Sequence, residues 1–129
     1  MRLILGGAYQ GKCSWYLQQS GRSAQEVADG DTLELNQIPE SDILNHLHCL
    51  IRRLMQNQMD PSTWLEAYLT KHPDAVILCN EIGCGVVPMT AEEREWRETT
   101  GRICCLLAKQ AVQVDRVFCG IAMTLKKED

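Results

Sequence analysis

Residues 1–14 read MRLILGGAYQGKCS, and a fold class follows from them. Residues 2–5 are a short apolar run of the kind that forms a buried strand, and Gly6-Gly7 ends it. Residues 6–12, GGAYQGK, then carry the G-x-x-x-x-G-K spacing of a phosphate-binding loop. A helix follows over residues 12–20, with Gly21 placed to stop it. The order strand, glycine loop, helix suits phosphate chemistry for physical reasons. Glycines let successive backbone N–H groups turn onto phosphate oxygens, the helix N-terminus adds a favourable dipole, and Lys12 supplies a positive charge. Gly6, Gly7, Ala8, Tyr9, Gln10, Gly11, Lys12, Cys13 and Ser14 are therefore the candidate nucleotide-binding residues. The position after the lysine should carry a hydroxyl for Mg²⁺; here it is Cys13, whose thiol is a poor ligand for a hard cation. Ser14 follows, but one residue on is about 100° round a helix.

Three more apolar runs lie downstream. Residues 32–35 read as a weak strand between Asp29-Gly30-Asp31 and Ile38-Pro39. Residues 75–79, AVILC, are the clearest strand, a β-branched run after Pro73-Asp74 that suits burial on both faces. Residues 116–121, RVFCGI, are the last. Between them, residues 42–57 place Ile43, Leu44, Leu47, Leu50, Ile51, Leu54 and Met55 at helical spacing after the N-cap candidate Ser41. Asp60-Pro61 opens a further helix, an N-cap followed by proline at the first position. Thr90 and Glu93 match a capping box for a helix towards residue 112, with Glu93/Arg97 and Glu98/Arg102 at i, i+4 spacing. This alternation predicts an α/β, P-loop NTPase-like three-layer sandwich with a mainly parallel sheet of about four or five strands. Ligands of such sheets sit at the carboxyl ends of the strands.

The 129 residues suit one nucleotide-binding domain spanning the chain. Apolar residues make up 45% and charged residues 23%, enough for a packed core and against disorder. A net charge of −4 and only seven Phe, Trp and Tyr argue against nucleic-acid binding. No run approaches a membrane span, and the first residues are too short for an export signal, so the expectation is a soluble, cytoplasmic protein. Its seven cysteines lack metal-ligand spacing and sit mostly in apolar runs, as reduced structural thiols do.

Further candidates cluster where the predicted strands end. Glu81, closing an apolar strand beside a phosphate loop, is the candidate for Mg²⁺ or catalysis, together with Lys12. Gly83 and Gly85 suggest a tight loop with close approach to a ligand or another backbone, Asn80 before them is a candidate substrate contact, and Arg94 and Arg97 follow as candidates for anionic groups. Arg102, in the more apolar half of that helix, is read as partly buried. His46 and His48 are two apart on a predicted helix and point in different directions, so they read as structural or surface histidines. His72 precedes Pro73 at a helix end, within reach of free carbonyls.

The opening LILGGAYQGK resembles the start of the bifunctional adenosylcobinamide kinase / adenosylcobinamide-phosphate guanylyltransferase family of cobalamin biosynthesis, with its G-G-x-x-S-G-K-S loop. Residues 80–88, NEIGCGVVP, look like that family's N-E-x-G-x-G-[IV]-V-P block. Gly101-Arg102 and residues 117–126, VFCGIAMTLK, are similar to its later helix and its closing strand. The resemblance implies a P-loop protein that phosphorylates the side-chain hydroxyl of adenosylcobinamide with ATP or GTP, and a homo-oligomer; in so small a domain Trp15, Trp64 and Trp96 are the candidates for its interface. Family members then transfer GMP to the new phosphate through a guanylylated histidine in a His-His-x-x-Arg setting. This chain is shorter by several tens of residues, and His46-Leu47-His48 does not match that setting, so the guanylyl step is not carried over. Gln10 and Cys13 stand where the family has serines, which bears on phosphoryl transfer more than on nucleotide binding.

Two other readings follow from the same residues. One is a catalytically silent nucleotide-binding protein that regulates or scaffolds a partner, consistent with the altered loop. The other is a redox-responsive binder in which Cys13, at a helix N-terminus beside Lys12, has a lowered pKa.

Overall fold

A computed structural model describes residues 1–7, 11–82 and 90–128. Six strands form one sheet: β1 (Arg2–Gly6), β2 (Val27–Asp29), β3 (Ile43–Asn45), β4 (Val76–Asn80), β5 (Gln113–Phe118) and β6 (Ile121–Lys127). Their order is β2-β3-β4-β1-β5-β6, with the first five parallel and β6 antiparallel to β5. Helix α1 (Lys12–Ser20) packs on one face; α2 (Leu47–Gln56), α3 (Pro61–Lys71) and α4 (Ala91–Gln110) pack on the other.

The central strands alternate between these layers. Leu3, Ile77 and Cys79 join the core of α2–α4, whereas Ile4, Val76 and Leu78 join Tyr16 of α1. That alternation makes β1 and β4 apolar on both sides and accounts for the unbroken runs in the sequence. The helix ends follow their expected chemistry. Asp60 accepts a hydrogen bond from the Ser62 N–H, Thr90 accepts one from Glu93, and Gly21 closes α1 at φ 72°.

The sheet has six strands rather than four or five, and three local expectations are corrected. Residues 42–57 are not one helix. Ile43 and Leu44 lie in β3 and point into opposite layers, and the chain turns at His46 before α2 begins. Ser41 caps no helix; its hydroxyl bonds to the Glu26 carbonyl and to the Ile43 backbone. Residues 32–35 form no strand. They turn back on the Asp29 carbonyl, and Arg53 holds the carbonyls of Gly30 and Leu33, while the short Val27–Asp29 supplies β2. The run 116–121 is folded in two, because Cys119 and Gly120 both take left-handed conformations (φ 51° and 75°) in a two-residue hairpin turn.

On α4 the predicted charge pairs give way to tertiary ones. Neither Glu93–Arg97 nor Glu98–Arg102 forms among the described residues; Glu93 faces Arg52 at 3.6 Å, and Arg102 is exposed rather than partly buried. Arg52 in turn lies 4.2 Å from the Trp96 ring centre. Trp64 is buried and donates to the Leu35 carbonyl, so it belongs to the core rather than to a free face. No helix among the described residues is long and apolar enough to cross a membrane.

Candidate functional site

Parallel pairing brings the carboxyl ends of β1, β2, β3 and β4 to one edge of the sheet. Gly6 registers with Asn80, and Asp29 with Asn45. The chain then leaves this edge as the Gly6-Gly7 turn, the Asp29–Asp31 turn, His46 and Glu81. Gly6 is required here because a Cβ would stand 2.5 Å from the Val117 carbonyl oxygen. Gly11, at φ 82°, starts α1 in a conformation that a side chain would strain. Ala8, Tyr9 and Gln10 of the loop, and Gly83 and Gly85 of the second loop, lie outside the described residues.

Lys12 is the buried charge of the site. Its ammonium donates to the Gly7 carbonyl at 3.1 Å and to Asn80 Oδ1 at 2.6 Å. Burial draws its pKa down, while Cys79, Cys13 and Glu81 pull the other way. Asn80 continues the chain of contacts, since its N–H donates to His48 Nδ1 at 3.2 Å. An accepting Nδ1 leaves the neutral ring's proton on Nε2. Desolvation, with help from nearby His46 and Lys12, pushes the His48 pKa down to about 4. The Trp96 indole N–H holds the His48 carbonyl at 2.9 Å, tying α4 to this corner.

His46 sits beside His48, with ring centres 5.8 Å apart and nearly perpendicular. It has φ 56° and ψ 48°, a left-handed conformation uncommon for a residue with a side chain. Its Nδ1 meets Asp29 Oδ1 at 2.8 Å. Burial raises the Asp29 pKa, but hydrogen bonds from His46 and the Asp31 N–H, with the charges of His46 and Arg53, outweigh it and hold it low. Gly30 allows this packing, because a Cβ there would stand 2.4 Å from the His46 carbonyl oxygen.

Gly11, Lys12, Cys13 and Ser14 of the first loop, Asp31, Asn45, His46, His48, Cys49 and Asn80 together line a cavity of about 310 Å³. This size is at the low end for small-molecule sites. The structure thus brings most of the described loop residues to Asn80 and adds two histidines that the sequence reading set aside. Reading residues 42–57 as one helix hid them. The available signal was their position at a strand's carboxyl end.

Other candidates stand apart from this cavity. Both carboxylate oxygens of Glu81 are held by Arg116 at 2.9 Å, at the rim of the sheet. Arg94 is exposed, and Arg97 keeps a buried Nε without a partner among the described residues. His72 reaches the Pro39 carbonyl, across a loop rather than at its own helix end. The Cys13 thiol departs from expectation: burial pushes its pKa up, and Lys12 opposes this without reversing it. The shift runs opposite to the lowered value expected of a thiol beside Lys12. The donor set is also a poor fit for a resident Mg²⁺. Cys13 offers soft sulfur, Glu81 is paired, and no cluster of three acidic, His or Cys ligands occurs among the described residues.

His48 makes a pH prediction. An unfolded chain binds its proton near the ordinary value of 6.5, whereas the folded chain binds it only near 4. Between these values the unfolded state holds more protons, so stability falls as the pH is lowered through that window, by up to about 3 kcal/mol. His48→Asn keeps an acceptor for the Asn80 N–H and cannot titrate. Urea unfolding at stepped pH is expected to show a flatter profile between pH 6.5 and 4 in the variant.

The family model for cobinamide kinase / cobinamide phosphate guanyltransferase matches residues 32–125, well over half of the chain. The matched stretch includes His46, His48, Asn80 and Glu81. No curated protein matches the chain.

Proposed function

Because the chain belongs to the cobinamide kinase / cobinamide phosphate guanyltransferase family, we propose that it transfers a phosphoryl group from ATP or GTP to a corrinoid hydroxyl in cobalamin biosynthesis. The observation that carries this reading is Lys12, buried at the head of α1 with its ammonium on Gly7 and Asn80, at the strand edge where ligands bind. In the proposed complex the nucleotide phosphates lie on the backbone of residues 6–14. Lys12 moves from its resting acceptors to the transferring group, and Asn80 is freed to contact the substrate. Phosphoryl transfer is mostly positioning and charge stabilisation, so a buried lysine at a helix N-terminus is well suited to it.

Any divalent ion enters with the nucleotide as part of the substrate, because Cys13 is a poor replacement for a hydroxyl ligand. Glu81 could meet that ion or the acceptor hydroxyl only by releasing Arg116. Gly83, Gly85, Arg94 and Arg97 complete the proposed substrate contacts. The guanylyl step is left out of this proposal because the stretch His46-Leu47-His48 differs from the family's His-His-x-x-Arg setting.

The proposed enzyme is a single nucleotide-binding domain that works in the cytoplasm and self-associates. Edge strand β6 supports association: Ile121, Met123 and Leu125 are exposed, with Phe118 of β5 beside them. The second reading, a silent nucleotide-binding regulator or scaffold, is favoured by Cys13 alone.

Calorimetry with Mg·ATP and Mg·GTP tests the proposal. Micromolar binding of one nucleotide, lost by at least a hundredfold in Lys12→Ala, is the expected result. Absence of binding at millimolar nucleotide sinks it. Binding without phosphorylation of cobinamide selects the silent reading, and a monomer in sedimentation velocity of the same samples removes the association.

A further inference from the structure

We propose that His46, oriented by Asp29, is the general base that takes the proton from the attacking hydroxyl. This deepens the phosphoryl-transfer reading and rests on it. Three independent observations converge on His46. It lines the cavity that also holds Lys12. Its Nδ1 is 2.8 Å from Asp29 Oδ1, so in the neutral ring the proton sits on Nδ1 and Nε2 keeps its lone pair. Nε2 makes no hydrogen bond among the described residues.

The third observation is the backbone. His46 holds a left-handed conformation between a buried strand and a buried helix, with its own N–H on Asn45 Oδ1 and its carbonyl accepting from Cys49 and Leu50. Such strain persists only where the surroundings fix it, and it clusters at functional sites. Here it swings the imidazole out of the α2 stripe and onto the sheet edge. His48 has the opposite tautomer, with Nδ1 occupied by the Asn80 N–H, and stays neutral because burial disfavours its charged form. The two rings thus divide the work, one accepting a proton through Nε2 and the other offering an N–H.

In the step itself the hydroxyl oxygen forms a bond to the γ-phosphorus and its proton passes to His46 Nε2. The bond from the γ-phosphorus to the β–γ bridging oxygen breaks, and its electron pair leaves with the nucleoside diphosphate. Asp29 stabilises the imidazolium, which then returns its proton to water.

His46→Asn is the informative variant, because Asn tolerates the left-handed conformation and still donates to Asp29. Steady-state transfer from the preferred nucleotide to cobinamide is expected to lose a hundredfold or more in kcat, with KM and the calorimetric nucleotide Kd within threefold. His46→Gly, equally compatible with the backbone, is expected to regain activity with added imidazole. Asp29→Asn is expected to lower kcat by roughly tenfold without moving nucleotide Kd. Transfer by His46→Asn within threefold of wild type overturns the base while the kinase reading stands. Nucleotide binding without any transfer by the wild-type protein overturns both.

Discussion

Gly6→Ala is expected to remove nucleotide binding and about 2–3 kcal/mol of stability together. Gly6 is the last residue of β1, paired across to Asn80 of β4, and its carbonyl accepts the Glu81 N–H. An added methyl group would stand 2.5 Å from the Val117 carbonyl oxygen on β5 and 3.1 Å from two carbons of the Lys12 side chain. The lysine stem can shift, but the carbonyl belongs to a central strand pair and cannot. Relief must therefore come from β1 itself, at the point where it feeds the phosphate loop. Urea unfolding and nucleotide calorimetry on one preparation check both halves. A Gly6→Ala protein that binds nucleotide as the wild type does would mean that β5 does not set the loop's position.

Asp115→Ala is expected to be the most costly change among the polar residues, at about 3 kcal/mol. Asp115 lies in β5 with about 1% of its surface exposed. Its carboxylate takes two hydrogen bonds from Arg2 at 2.7 and 2.9 Å, contacts from the Gln113 amide, and one from Thr124 Oγ1 at 2.8 Å. These donors come from β1, β5 and β6, so one side chain ties three strands together. Arg2 is partly exposed and also lies over the Trp15 and Tyr16 rings, so water can recover part of its loss. Gln113 and Thr124 recover less. Asp115→Asn keeps the shape but turns an amide N–H towards one of these donors, and most of the loss is expected to remain. Denaturant midpoints for the two variants measure this directly. A change below about 1 kcal/mol in both would show that the network adds little to stability.

Much of this molecule was legible from local pattern. The strands at residues 2–5 and 75–79, the helix over residues 12–20 and the caps at Asp60 and Thr90 read correctly, because each rests on neighbouring residues or on burial from both sides. The β3–α2 junction did not. Ile43 and Leu44 fit a helical stripe with Leu47 and Leu50, and all four are buried in the structure. What separates them is that Ile43 and Leu44 enter opposite layers, and no periodicity within the segment reveals which layer lies on which side. The same ambiguity concealed His46 and His48. Conversely, Arg97 and Glu93 met the spacing rule for a pair, but Arg52 on a neighbouring helix offered Glu93 a partner.

Local pattern alone establishes that a glycine loop with a lysine joins a buried strand to a helix in a parallel α/β protein. Backbone conformation near glycine and apolar burial are short-range properties, written in consecutive residues. What surrounds that lysine depends on contacts between segments far apart in the chain. Asn80, His48, His46 and Asp29 are distant from Lys12 in the chain, and parallel pairing of β1, β4, β3 and β2 delivers their strand ends to one edge. That register is set by long-range packing, and through it a polar chain from Lys12 to Asp29 comes into being.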